Sequence, residues 1–256
     1  MRDPHVVSLT YQLKTSDSVT FDAPPLKCET ERFSLRLEED VLTVELNEHF
    51  ASIKEAREAV EPFLTSWEIH ASLTNGRREI SFEYEDAEMV DRSPPGLGEP
   101  IVGHAEKSLV AVTAGEASGK VTRGKYPTPP GDFETSPEVE ALLERYYRCL
   151  DGKEQLLPMA NFCYTVLKSI AGGTSKAGNL FGISNRVLAK LGELTARGDL
   201  HNARKWRGGE QNRPLTQAEE EWLKQVVKQL ILRLGEYNAH PDGSFEKIML
   251  EDFPSS

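Results

Sequence analysis

The sequence predicts an α+β protein: a strand-rich antiparallel amino-terminal domain, then an all-helical, four-helix bundle-like carboxy-terminal domain. Three observations predict it. Before residue 125, apolar residues alternate with polar ones in short runs. After residue 136 they recur at spacings of three and four. Between the two patterns lies Tyr126-Pro127-Thr128-Pro129-Pro130-Gly131-Asp132, whose prolines remove backbone donors and restrict the residues before them. The expected organisation is a strand-rich domain over 1–125, a proline-rich linker over 126–135 and a helical domain over 136–256.

The first strand is expected over 6–13, with Val6, Val7, Leu9, Tyr11 and Leu13 as its apolar residues. Phe33, Leu35 and Leu37 alternate with Arg32, Ser34, Arg36 and Glu38, which buries one strand face and wets the other. Leu42, Val44 and Leu46 repeat the pattern after Glu39-Asp40, so a hairpin is expected there. Ser52 and Glu55 have capping-box spacing, and Ile53, Ala56, Val60 and Leu64 follow at helical spacing. Pro62 should shorten or bend that helix. Trp67, Ile69, Ala71 and Leu73 alternate again and read as a strand, turned at Asn75-Gly76 into a return strand through Ile80, Phe82 and Tyr84. Pro94 to Pro100 is a loop, and a last strand is expected through Leu109, Val110 and Val112. Glu83, Glu85, Asp86 and Glu88 read as a solvated strand face rather than a cation site. His49 and His104 have no ligand-spaced companions.

In the second half, Ser136 caps a helix that opens on Pro137 and carries Val139, Leu142, Leu143, Tyr146, Tyr147 and Leu150 as one stripe. A helix over 154–171 ends at Gly172-Gly173-Thr174-Ser175-Lys176. That string lacks P-loop spacing and follows a helix, so it reads as a helix stop. A helix over 184–196 starts at Ser184. Thr216 and Glu219 form a capping box for the last helix, whose apolar face runs from Trp222 to Leu234 and whose end Gly235 should weaken. Phe245, Ile248, Met249, Leu250 and Phe253 in the tail are placed to lie on the bundle.

The net charge of −11 argues against wholesale wrapping of DNA. Residues 172–213, however, hold eight basic side chains against three acidic ones, a local excess of five that leaves −16 for the rest. Cys28, Cys149 and Cys163 form no CxxC pair, which supports neither a zinc ribbon nor a disulfide framework. No apolar leader opens the chain and no run is long enough to span a membrane, so a cytoplasmic protein without metal, cofactor or membrane contact is expected. Neither a G-x-S-x-G nor a strand-borne G-x-G-x-x-G is present.

The positive charge is densest in Arg197-Gly198-Asp199-Leu200-His201-Asn202-Ala203-Arg204-Lys205-Trp206-Arg207, between the last two helices, with Arg213 close by. Guanidinium forks match phosphate oxygens, and an indole among them can stack on a base. Arg204, Lys205, Trp206, Arg207 and Arg213 are therefore the candidate nucleic-acid-binding residues. Four helices with an Arg…His segment before a capped last helix resemble HEPN domains over about 137–238. The resemblance implies a dimerising helical domain of the kind found in RNA-cleaving toxins and prokaryotic defence proteins. HEPN ribonucleases carry four to six residues between the Arg and the His; here Arg197 and His201 have three. The expectation is therefore a non-catalytic HEPN-like interaction module for a protein, a second copy of itself or RNA. The alternative is a metal-independent endoribonuclease with Arg197, His201 and Asp199 as its catalytic residues.

Overall fold

The computed structural model describes residues 3–76, 79–93, 120–196 and 214–254. Its contacts cluster into two compact units, Met1–Gly131 and Asp132–Ser256, and the architecture is α+β as the sequence predicts: an antiparallel sheet, then helices.

The first unit has β1 (Pro4–Thr15), β2 (Val19–Phe21), β3 (Leu26–Glu29), β4 (Phe33–Glu38), β5 (Val41–Leu46), α1 (Ile53–Thr74), β6 (Ile80–Asp91) and β7 (Val121–Arg123). Five strands form one sheet in the order β3-β4-β5-β1-β6, and β2 pairs with β7 in a separate parallel ribbon. The β4–β5 turn falls at Glu39 and Asp40, with φ of 49° and 62°, the positive pair that a tight hairpin demands. β5 and β6 both run antiparallel to β1, which lies between them. Their connection must therefore cross the sheet, and α1 makes that crossing. Leu9, Tyr11, Leu35, Leu37, Leu42 and Val44 form the sheet side of the core, and Ala56, Val60, Leu64, Trp67 and Ala71 the helix side. A register shift between Val6 and Ser8 puts Val6 rather than Val7 in that core.

The expected strand at Trp67–Leu73, and with it the second hairpin, is wrong. Those residues are the last third of α1, which runs for 22 residues straight through Pro62. Ala56, Val60, Leu64, Trp67 and Ala71 make one helical stripe, and Ser66, Ile69 and Leu73 a second buried one. Positions 67, 69, 71 and 73 step from one stripe to the other, which imitates the period of a strand. The helix also protects the sheet: Glu68 Oε1 accepts from the Phe82 backbone N–H of edge strand β6 at 2.6 Å. Burial raises the Glu68 carboxyl above its ordinary value, and that hydrogen bond opposes the rise. The strand expected through Leu109–Val112 lies outside the described residues.

The second unit has α2 (Pro137–Leu150), α3 (Leu156–Ala171), α4 (Thr174–Leu180), α5 (Asn185–Leu194) and α6 (Gln217–Ala239). Ser136, Ser184 and Thr216 each accept from a backbone N–H three residues on, and the Thr216–Glu219 capping box is complete. Gly172, at φ 71°, ends α3 as expected. The short α4 that follows it was not expected. Gly235 does not mark the end of α6. It lies inside the helix, where a Cβ would overlap the Phe133 ring, so the glycine admits that ring.

The tail is built into the unit. Ile183 bridges Ile248, Ser184 N donates to Ile248 O at 2.9 Å, and Phe253 meets Trp222 edge-on at 5.9 Å. Arg233, 8% exposed, donates to Phe181 O and Glu246 O and so staples α6 to both segments. Leu223, Val226, Val227, Leu230 and Ile231 are all fully buried, so the apolar face of α6 is consumed within its own chain.

Candidate functional site

Arg197, Asp199, His201, Arg204, Lys205, Trp206, Arg207 and Arg213 all lie outside the described residues. What the structure supplies is the frame around them. The chain enters this segment from the end of α5, where Thr195 Oγ1 donates to Leu191 O at 2.8 Å. It leaves the segment into the first turn of α6. That helix start is a poor anion site in itself. Glu219 occupies it, accepting from Thr216 N at 2.9 Å and supplying the negative charge that the helix end favours.

The described cations of the basic region are Lys176, Arg186 and Lys190. Arg186 lies 3.8 Å from Glu251 with both groups largely exposed, a contact worth little in water. Lys190 Nζ sits 4.4 Å from the centre of the Trp222 ring. Burial lowers its pKa, with Glu219 and Glu193 opposing the shift. Trp222 is fully buried, and its Nε1 has no hydrogen-bond partner among the described residues. Lys190 and Trp222 are thus committed to the fold, whereas Lys176 and Arg186 are exposed.

Three polar clusters escape any reading by spacing, because contacts between segments distant in the chain assemble them. On the sheet face opposite α1, Lys27, Arg36 and Thr43 lie in one register row, and Glu29, Ser34 and Glu45 in the next. They line an open groove of about 370 Å³. Lys27 directly opposite Arg36 is an unfavourable pairing, relieved by Glu38, which holds Arg36 at 2.6 Å. At the edge of the core, Tyr11 and Tyr84 pair across β1 and β6 with rings 5.8 Å apart. Arg57 lies over the Tyr84 ring and pairs with Glu61. Burial raises the Tyr11 hydroxyl strongly. Third, His5 and His49 meet, 44 positions apart in the chain.

No protein-family model, curated protein or solved structure matches this chain. Function has to be read from its own residues. Among the described residues, no group of three or more His, Cys, Asp or Glu side chains could hold a metal ion. No described helix is long and apolar enough to cross a membrane. The three cysteines are free thiols, and burial raises all of them, Cys163 to about 12. A raised thiol is a poor nucleophile at neutral pH.

Proposed function

We propose that the protein is a non-catalytic, HEPN-like interaction module of the cytoplasm, binding RNA through the segment between α5 and α6. The observation that carries this reading is the excess of five positive charges over 172–213 in a chain of net charge −11. Arg204, Lys205, Arg207 and Arg213 would neutralise phosphates, and Trp206 would stack on an unpaired base. The free thiols fit a reducing compartment. The resemblance to HEPN domains adds a role in a prokaryotic defence or regulatory complex, with a protein partner or a second copy of the chain. The surface to test for such a partner is on α3 rather than α6. Phe162, Val166 and Ile170 recur there every fourth residue; the first two are half-buried and Ile170 is 40% exposed.

The test is a titration of the full chain with labelled single-stranded RNA at several salt concentrations. Replacing Arg204, Lys205 and Arg207 by Ala should weaken binding and reduce the salt slope by roughly 0.7 for each phosphate no longer neutralised. A variant with unchanged affinity and slope would refute the reading. The second reading, a metal-independent endoribonuclease, is favoured by Arg197 and His201. His201 would move the proton and Arg197 would offset charge on the phosphorus. It requires cleavage of RNA in the presence of chelator that His201→Ala abolishes.

A further inference from the structure

The corner where β1 begins holds two imidazoles in contact. His5 Nδ1 and His49 Nδ1 lie 3.1 Å apart, with ring centroids 5.1 Å apart. Two ring nitrogens at that distance share one proton, one as N–H and the other as lone pair. His5 is 3% exposed, so water offers little alternative. Backbone hydrogen bonds converge on the same corner. Val6 N donates to Phe50 O at 3.0 Å, and Arg92 N donates to Asp3 O at 2.8 Å. The pair therefore sits where the amino-terminal segment, the end of β6 and the segment after β5 meet.

Each of these elements brings charge. The amino-terminal segment brings Asp3, whose Oδ1 is 3.3 Å from His49 Nε2. The end of β6 brings Arg92, a fixed positive charge beside His5, and Asp91, whose Oδ1 accepts from Asp3 N and Ser93 N. The segment after β5 brings Glu48, which is held by Arg32. Among the described residues no third ligand completes a metal site, so the proton is what the two rings share.

We propose that the His5–His49 contact is an acid-operated latch: with one shared proton it ties the start of β1 to the segment after β5, and a second proton opens it. Double protonation would point two N–H donors at each other across 3.1 Å, beside Arg92. Burial, then Arg92 and His49, hold His5 below its ordinary 6.5, with Asp3 opposing them. The fold therefore favours neutral His5. The latch contributes fully above about pH 6.5, and its contribution falls as pH drops through the window between 6.5 and the lowered value, where the unfolded chain binds the extra proton. The latch lies in the sheet unit and does not depend on the basic segment.

The experiment is a histidine NMR titration of the full chain from pH 8 to pH 5, with amide hydrogen exchange over the same range. The resonances of the two rings should change together, as a coupled pair rather than as two independent sites. Corrected for intrinsic exchange rates, protection of the Val6 amide should fall with pH while that of Val226 in α6 does not follow it. In His49→Gln the coupling should vanish, and the pH dependence of Val6 protection should shrink to the part that burial and Arg92 impose on His5. Two independent single-site titrations in the unsubstituted protein, or Val6 protection that is constant with pH, would overturn the proposal whether or not the variant folds.

Discussion

The two units solve the same burial problem in opposite ways. In the helical unit the long-range core is built from local stripes, and three of the helices bring their own caps: Ser136, Ser184 and Thr216 start α2, α5 and α6, and the residues that fill the core follow within the same segment. In the sheet unit the core is an agreement between distant segments. Tyr11 faces Tyr84, Leu9 faces Val44, and Trp67 Nε1 donates to Pro127 O at 3.0 Å, 60 residues away. Local order can be read from a chain because the periodicity is contained in it. Pairing cannot, because the partner is elsewhere.

The sheet unit therefore hangs on a few long-range anchors and the helical unit on many local ones. Trp67→Ala tests the first half most severely. It removes a fully buried indole and orphans Pro127 O, and should cost about 3–5 kcal/mol in urea unfolding. A loss under about 1 kcal/mol would break the contrast.

Gly235→Ala comes next. Alanine is the better helix former by about 1 kcal/mol, yet its Cβ would overlap Phe133, so a net loss of about 1–3 kcal/mol is expected. Adding Phe133→Leu should recover much of it, which a double-mutant cycle would register.

The two buried tryptophans sharpen the comparison further. Trp67→Phe discards a long-range hydrogen bond, whereas the Trp222 Nε1 has no partner among the described residues. Beyond what the smaller ring itself costs, Trp67→Phe should lose about 1 kcal/mol more than Trp222→Phe. Equal losses in thermal unfolding would mean that the Pro127 contact does not hold the unit.

The smallest effect is a gain. Asp40 sits at φ 62° with Oδ1 buried and unpartnered among the described residues. Asp40→Gly should therefore stabilise the β4–β5 hairpin by up to about 1 kcal/mol, detectable as a higher Tm.

Part of the sheet unit was legible nonetheless. The β4–β5 hairpin and its turn follow from strict alternation on both sides of Glu39-Asp40. The error at Trp67–Leu73 has a clear cause: a helix buried along two stripes shows apolar residues at every second position. The β-bulge that turns Val6 inward shows in the sequence only as two adjacent valines, which do not say which of them faces the core. The candidate site divides in the same way. The basic segment was visible as composition, since charge adds up along the chain. The meeting of His5 with His49 was not, since nothing in a separation of 44 residues announces a contact.

The sequence alone thus determined the class of the fold, the capped helix starts and the concentration of positive charge between α5 and α6. These depend on residue identity and on neighbours within about two helical turns. The tertiary structure decided the strand order, the crossover through α1, the seat of Phe133 against Gly235, the strapping of the tail by Arg233 and the imidazole pair. Each needs two surfaces brought together by folding, and the complementarity of those surfaces is written in neither segment by itself.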